Sequence, residues 1–170
     1  ADSPGSIIVS SMEGSRPLLV EVQALVTSSS SIGMPRRMSA GFDHNRMSLL
    51  VAIMEKRLGL NLQGEDIFIN IAGGLKISEP AVDMGVAAAI AGSFRNRSVD
   101  PHTVMIGEVG LTGEVRSVMQ LEARLTEAER LGFKKCVVPH SIKEDRLINK
   151  TSSLSLVPVK TLSDAFDAVF

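Results

Sequence analysis

Basic residues beside predicted loops are the features of this 170-residue sequence best suited to binding a charged ligand. Arg36 and Arg37 follow the four-serine stretch 28–31, which is typical of a loop that can reach a ligand. The planar guanidinium group donates two hydrogen bonds at once and therefore suits phosphate. Arg46 lies in the next predicted helix and is a third candidate. Weaker candidates for the same role are Arg95, Arg97, Lys134 and Lys135. Solvated surface charge is the alternative interpretation for all of them.

Other kinds of site have less support in the sequence. No P-loop or dinucleotide-binding fingerprint is present. The glycine-rich stretch 107–113 is flanked by Glu108 and Glu114, which would repel phosphate, so we expect a hairpin turn there. The histidines are far apart, and we expect no metal site. The single cysteine, Cys136, excludes an internal disulfide and lies among valines, which predicts a core position.

Asp83 is the one charged residue of an otherwise apolar predicted helix, which spans 80 to about 93. Such a helix belongs in the core, where a carboxylate is costly unless it is paired or hydrogen-bonded. We therefore expect Asp83 to form a salt bridge or to accept backbone N–H groups of a neighbouring loop.

The elements that position these residues alternate between strand and helix after a β-rich opening. The periodicity predicts strands at 7–9, 17–26, 35–42, 66–72, 104–107, 114–118, 136–138 and 154–158. It predicts helices at 43–59, 80–93, 121–131, 142–148 and 162–170. This order indicates an α/β or α+β domain with a mixed sheet. Residues 1–6 are interpreted as a linker or tag remnant, and 7–170 as one domain.

Composition limits the partners that the chain could have. Lysine and arginine total 18 against 19 acidic residues, giving a net charge of -1, so nucleic acid would require a local basic patch. Tryptophan and tyrosine are absent, which disfavours a platform on which bases stack. The longest apolar run, near 84–91, is far short of the ~20 residues that span a bilayer, so we expect no membrane partner.

Four stretches together resemble one known family. They are 14–25 (GSRPLLVEVQAL), 35–37 (PRR), 79–83 (EPAVD) and 107–116 (GEVGLTGEVR). The chain resembles the C-terminal Lon protease-like domain of the bacterial RadA (Sms) DNA-repair protein family, from about Gly5 to the end. The resemblance implies a Lon protease-type fold related to the second domain of ribosomal protein S5.

The resemblance also implies partners. Full-length members add a zinc-binding N-terminus and a RecA-like ATPase, form hexameric rings on DNA and assist branch migration in recombination. It follows that this domain should contact copies of itself, the attached ATPase domain, and single-stranded or branched DNA. ATP with Mg, and zinc, are expected only in those other parts, with no cofactor in this domain. The implied location is the bacterial cytoplasm or an organelle of bacterial origin.

Lon proteases use a serine in a Gly-Pro-Ser-Ala-Gly stretch and a lysine in the helix after a Gly-Glu hairpin. In the alignment with that family, Ala81 stands at the serine position and Glu122 at the lysine position. A methyl group cannot attack a carbonyl carbon, and a carboxylate does not replace the lysine as proton acceptor and donor. Ser78 and Lys76 are the nearest substitutes. We therefore expect no peptidase activity from this domain.

Three functions remain open from the sequence. The favoured one is a non-catalytic scaffold that builds a ring and contacts DNA in support of an ATPase motor. A Ser/Lys peptidase and a pure oligomerisation module without DNA contact are the alternatives.

Overall fold

One seven-stranded mixed sheet and a two-stranded hairpin organise the chain. The computed structural model describes residues 3–30, 33–140 and 153–170. The sheet strands are β1 (Ser6–Glu13), β2 (Arg16–Ser28), β3 (Arg37–Ala40), β4 (Glu65–Ile71), β5 (Thr103–Met105), β8 (Lys135–Pro139) and β9 (Ser155–Val159). The hairpin consists of β6 (Glu108–Val109) and β7 (Val115–Arg116). The described helices are α1 (His44–Leu58), α2 (Asp83–Arg95), α3 (Leu121–Arg130) and α4 (Leu162–Val169). The predicted α/β class with a mixed sheet is confirmed.

The sheet has the order β3-β4-β2-β1-β5-β8-β9, and β2 is the strand that runs against the other six. The six parallel strands therefore begin at one end of the sheet, called the amino end here, and finish at the other, called the carboxyl end. Parallel neighbours need long crossover connections. Helix α1 lies in the connection from β3 to β4, and α3 lies in the connection from β5 to β8. Each crossover helix returns the chain from the carboxyl end to the amino end.

Helix α1 begins and ends where its sequence predicts. The Asp43 side chain accepts the Asn45 N–H at the N-terminus, and Gly59 adopts φ 70° at the C-terminus, a conformation that glycine tolerates best. The predicted apolar stripe is buried from Met47 to Met54, while Leu58 is partly buried against the same core.

Helix α2 lies at the centre of the domain, over β1 and β2 and beside α1 and α4. All residues from Asp83 to Gly92 are buried, which confirms the predicted core position. Small residues let this helix approach the sheet closely. At Gly85, an added Cβ would lie 2.1 Å from Val9 Cγ1.

Helix α3 covers part of the opposite face of the sheet. It buries Leu125 and Ala128 in a second apolar cluster with β5 and β8. Cys136 is fully buried there, as predicted, and burial raises the pKa of its thiol to about 12.

On that same face, β2, β4 and β3 carry an apolar row that α3 leaves open. Leu25 and Met38 are both paired in register with Phe68, and their exposed fractions are 58% and 57%. We call Leu25, Phe68 and Met38 the apolar row. The two outer strands of the sheet are β3 and β9. Pro158 lies in β9 and has no N–H to donate.

Several predicted boundaries differ from the structure. The stretch 1–6, interpreted as a linker, contributes Ser6 to β1, and the Gly5 carbonyl accepts the Ala24 N–H at 2.8 Å. The strand predicted at 35–42 is only Arg37–Ala40, and its neighbour is β4. The strand predicted at 114–118 has two residues because the chain turns toward α3. The helix predicted at 142–148 lies outside the described residues.

Candidate functional site

Asp83 is held by both kinds of partner that the sequence predicts for it. Its side chain is completely buried, and the Arg46 guanidinium binds both carboxylate oxygens, with Nε donating to Oδ1 at 2.9 Å and Nη2 to Oδ2. The Val109 N–H donates to Oδ2 at 3.1 Å, and Arg46 Nη2 also donates to the Val109 carbonyl at 3.1 Å. This network ties the start of α1 to α2 and to the β6–β7 hairpin.

The network determines what Arg46 can do. Burial raises the pKa of Asp83, and the bonds from Arg46 and Val109 oppose that rise. The hydrogen bond with Asp83 in turn raises the pKa of Arg46. The Arg46 side chain is 28% exposed. The contacts of this side chain favour a bracing role, and its predicted role at nucleic acid stays a prediction.

The residue at the predicted nucleophile position is a buried methyl group. Ala81 is 5% exposed and lies in the 3-10 turn Pro80–Val82 that leads into α2. Its carbonyl accepts the Gly107 N–H at 2.9 Å, and the Gly107 carbonyl accepts the Met84 N–H at 3.0 Å. The turn is thus fixed against the strand exit from β5. Nothing in the Ala81 side chain can attack a carbonyl carbon.

A buried ion pair braces the same turn from the other side. Arg124 of α3 is 1% exposed and donates to both oxygens of Glu79, at 2.7 and 2.9 Å. The Arg124 guanidinium also donates to the carbonyls of Ser10 (2.8 Å) and Met119 (3.0 Å), while the Met12 N–H donates to Glu79 at 2.8 Å. The pair joins β1, the start of α2 and α3.

Neither Glu79 nor Arg124 was predicted to have a role, although Glu79 lies in the family-like stretch 79–83 and Arg124 in the helix predicted at 121–131. The signal was present in α3. Arg124 lies three residues after Leu121 and directly before Leu125, inside the apolar stripe of that helix. A charged residue in an apolar stripe needs a buried partner.

The predicted lysine position, Glu122, lies on the exposed side of α3. It lines a shallow cavity of about 530 Å³ together with Pro17 and Gln120. The carbonyl of Glu122 accepts the Thr126 hydroxyl at 2.9 Å. Position 122 therefore carries an exposed carboxylate where a Lon-type site would have its lysine.

The substitutes Lys76 and Ser78 do share a cavity. They are exposed on one side of an extended segment whose middle residue, Ile77, is buried. The cavity has a volume of about 460 Å³ and is also lined by Asp43. Across the described residues, no hydrogen bond links the Ser78 hydroxyl to the Lys76 ammonium.

Arg36 and Arg37 differ in their environments because neighbours on a strand face opposite sides. The Arg36 side chain is 64% exposed, with Nε 3.8 Å from Asp66 Oδ2, and its backbone N–H donates to Asp66 Oδ1 at 2.7 Å. Arg37 turns inward and donates from Nη2 to the Leu62 carbonyl at 2.9 Å. Arg36 is therefore the more exposed of the two residues.

The weaker candidates lie at the amino end of the sheet. Arg95 and Arg97 are exposed where α2 ends, and Lys134 is exposed directly before β8. Lys135 is half-buried, and its ammonium donates to the Ala168 carbonyl at 2.8 Å. Arg46 lies at the carboxyl end, so the structure separates it from these four residues.

The glycine-rich stretch forms the predicted hairpin. The Gly110 N–H donates to the Glu114 carbonyl, and the Gly113 N–H donates to the Gly110 carbonyl, both at 2.9 Å. The Thr112 hydroxyl and the Arg116 guanidinium bind the Glu114 carboxylate and lower its pKa to about 2. The carboxylate of Glu114 thus closes the turn.

Two further findings concern ligands and membranes. Among the residues that the structure describes, no group of three or more His, Cys, Asp or Glu side chains could hold a metal ion. Within the same ranges, no helix has the length and apolar character needed to cross a bilayer.

Comparison with known proteins defines the class of this domain. A model of the protein family described as subunit ChlI of Mg-chelatase matches residues 20–142. The match covers more than half of the chain, so the chain belongs to that family.

Curated relatives narrow the class to RadA. The chain is 50% identical over 163 residues to the DNA repair protein RadA of Halalkalibacterium halodurans, covering 96% of this chain and 35% of the relative. It is 55% identical over 139 residues to RadA of Bacillus subtilis, covering 82% and 30%, respectively. It is 45% identical over 161 residues to RadA of Listeria monocytogenes, covering 95% and 35%. The predicted resemblance to a RadA domain is confirmed, and the chain spans about a third of the length of these relatives.

Proposed function

We propose that this chain is a non-catalytic scaffold domain of a RadA-type DNA repair protein, which assembles with copies of itself and contacts DNA. The observation that carries the proposal is the 45–55% identity to proteins named DNA repair protein RadA over most of the chain. The buried methyl group of Ala81 supports the non-catalytic part of the proposal. ATP hydrolysis, with its Mg, and zinc binding belong to other parts of the longer protein under this proposal.

The environment of Ala81 supports the proposal that this domain has no peptidase activity. A Lon-type serine requires a base within hydrogen-bonding reach. The turn before Ala81 is instead fixed by the Glu79–Arg124 ion pair, in which Arg124 donates to both oxygens of Glu79 and the Met12 N–H donates to one of them. Restoring a hydroxyl at position 81 would not restore the lysine.

A peptidase assay tests this part of the proposal. We expect no cleavage of fluorescent casein by the wild-type chain or by the Ala81→Ser variant. The specific observation in favour of the alternative, a Ser/Lys peptidase, is the cavity that Lys76 and Ser78 share. The Ser78→Ala variant is therefore the control. Cleavage that wild type performs and Ser78→Ala lacks would replace the scaffold proposal with a peptidase.

Self-association is supported by the apolar row on the open part of the sheet. Leu25 and Met38 are more than half exposed, and an exposed apolar patch commonly marks an interaction surface. A second copy, or the attached ATPase domain, could cover it. Light scattering at several concentrations tests assembly, with Leu25→Ser/Met38→Ser as the variant. A wild-type chain that stays monomeric at high micromolar concentration contradicts autonomous assembly.

DNA contact is proposed first for Arg36, because its side chain is 64% exposed and its ion pair with Asp66 is long, with Nε 3.8 Å from Oδ2. Arg37 supports it by fixing the start of β3 to the Leu62 carbonyl. The Arg36→Ala/Arg37→Ala variant should bind an oligonucleotide more weakly. The slope of log affinity against log salt concentration should fall by about one for each phosphate contact that is lost. Unchanged DNA binding would remove both residues from the interface. An oligomer that dissociates in this variant would place them between subunits instead.

A further inference from the structure

Residues 75–79 form a short extended segment between the turn that follows β4 and the turn that leads into α2. Leu75 and Glu79, at its two ends, have extended backbone angles, with φ and ψ of -73° and 150° for the first and -84° and 139° for the second. In the middle, the Ile77 N–H donates to the Gly41 carbonyl at 2.7 Å, in the manner of a parallel strand pair. We call residues 75–79 the edge segment.

Contacts at both ends hold the edge segment in this conformation. Gly41 has φ 88°, and a Cβ there would lie 2.4 Å from the Leu75 carbonyl oxygen, so glycine is what lets the chain after β3 approach so closely. At the other end, Arg124 donates to both oxygens of Glu79. The segment is therefore extended without a ligand, which lowers the entropic cost of binding one.

The edge segment has one side without a backbone partner. The N–H and carbonyl groups of neighbouring residues in an extended chain point to opposite sides, so those of Lys76 and Ser78 point away from Gly41. Within residues 3–30, 33–140 and 153–170, no hydrogen bond involves the backbone of either residue. Both residues are exposed. Exposed backbone donors and acceptors of this kind can pair with an incoming strand.

The side chains of Lys76 and Ser78 are also accessible, because both residues line a cavity of about 460 Å³. Among the described residues, Lys76 has no carboxylate within 4.0 Å. Asp43 lines the same cavity, and its carboxylate accepts the Asn45 N–H at 3.4 Å at the start of α1. The ammonium of Lys76 is therefore available to a ligand that also reaches the free backbone groups.

We propose that the edge segment binds an extended peptide of a partner protein as an added strand, with one carboxylate side chain of the peptide facing Lys76. The backbone groups of Lys76 and Ser78 supply the hydrogen bonds to the peptide, and the ammonium of Lys76 selects its charge. Side chains directly opposite on paired strands lie about 5 Å apart at Cβ, which suits an ion pair. Because Asp43 lines the same cavity, a single acidic residue between apolar neighbours fits better than an acidic run. Peptide binding goes beyond the proposed scaffold function and requires neither DNA contact nor ring assembly.

Three peptides separate the backbone contribution from the charge. The first is fluorescein-labelled Gly-Ser-Val-Glu-Val-Ser-Gly, whose valines favour an extended backbone. The second has lysine in place of glutamate. The third keeps every side chain of the first and carries methyl groups on the backbone nitrogens of Val-Glu-Val, which removes the donors that a strand pair needs. Binding to the full 170-residue chain is titrated by fluorescence anisotropy up to millimolar protein.

Two variants make the same change in charge. Lys76→Glu reverses the charge at the edge segment. Lys160→Glu reverses it at an exposed lysine between β9 and α4 and is the matched control. Circular dichroism establishes that both variants are folded. Amide signals in nitrogen-15 NMR spectra of the wild-type chain report whether the N–H groups of Lys76 and Ser78 acquire partners.

The expected result combines a charge preference with a backbone requirement. The wild-type chain and Lys160→Glu should bind the glutamate peptide about fivefold more tightly than the lysine peptide, the upper range for an exposed ion pair. Lys76→Glu should reverse this preference, and the methylated peptide should bind to none of the three proteins. The amide signals of Lys76 and Ser78 should shift on binding. The inference is overturned if the wild-type chain does not bind the glutamate peptide, binds the methylated peptide equally well, or shows a preference that Lys76→Glu leaves unchanged.

Discussion

Replacing Arg124 by methionine should destabilise the domain more than any other loss of a single charge-bearing group on α3. Methionine keeps much of the apolar volume of the side chain and removes the guanidinium. Glu79 then loses the donors that bind both of its oxygens, and the carbonyls of Ser10 and Met119 lose one donor each. The change tests whether this ion pair holds the turn before Ala81 to β1 and α3.

The size of the effect follows from the burial of the two partners. Breaking a buried ion pair by removing one partner typically costs about 3–5 kcal/mol. Arg124 is 1% exposed, but Glu79 is 26% exposed, so water can partly solvate the remaining carboxylate. This places the expected loss at the lower end, about 3 kcal/mol. For a chain of this size the midpoint of thermal unfolding should fall by about 6–12 °C.

Urea unfolding followed by circular dichroism measures the loss. Arg130→Met is the matched control, since it breaks an exposed pair with Glu127 on the same helix and should leave the midpoint unchanged. The double variant Glu79→Gln/Arg124→Met should lose less than the sum of the two single variants, because no charge remains unpaired. A loss below about 1 kcal/mol for Arg124→Met would refute the bracing role.

The pH dependence gives a second test of the same pair. Burial raises the pKa of Glu79, but the bonds from Arg124 and the Met12 N–H outweigh burial and hold it below the ordinary value of 4.5. A lowered pKa in the folded state stabilises the fold above pH 4.5, and this contribution is lost as the pH falls through the folded value. The difference in stability between wild type and Arg124→Met should therefore be full at pH 7 and shrink below pH 4.5. A difference that is constant down to pH 3 would contradict the assignment.

Three further predictions concern other buried groups. Arg46→Met should lower the free energy of unfolding by about 3 kcal/mol at pH 7, because Asp83 then keeps only a backbone donor. The loss should be smaller at pH 4, where the carboxyl group can protonate. Urea unfolding at both pH values measures the difference. Cys136 should not react with Ellman's reagent until the chain unfolds, since its thiol is buried with a pKa of about 12; rapid labelling of the native protein would contradict this. Gly85→Ala should cost about 1–3 kcal/mol, because its Cβ would meet a β1 valine at 2.1 Å, whereas Gly64→Ala, with open space around it, should be neutral in the same unfolding assay.

Local patterns in the sequence predicted most of the elements. The boundaries of α1 follow from Asp43, Gly59 and one apolar stripe, all of which act within a few residues of each other. The burial of α2 follows from its apolar composition. The hairpin at 107–113 follows from its glycines. Each of these signals arises from residues close together in the chain, and such short-range patterns can be recognised in a single sequence.

The pairing of side chains was not predictable in the same way. Asp83 was expected to have a partner, but the choice of Arg46 depends on how α1 packs against α2, 37 residues away in sequence. The Glu79–Arg124 pair likewise depends on the placement of α3 across the sheet. Arg36 and Arg37 are adjacent in sequence, and only the strand geometry shows that they face different environments. Such contacts depend on how distant parts of the chain pack together, which the composition and local patterns of one sequence do not reveal.

The position of Pro158 limits how this sheet can grow. In β9 the Ser155 N–H donates to β8, so alternate residues face the neighbouring strand and Pro158 is among those that face the open edge. An incoming strand would find no donor at that position. Filaments that grow by adding sheets edge to edge need both outer strands, because each molecule must join one neighbour through β3 and another through β9. Because Pro158 disfavours pairing at β9, two molecules can join only through their β3 strands. That contact produces a dimer and leaves no further edge for a third molecule. A destabilised form of this domain should therefore resist ordered fibre growth from its native sheet.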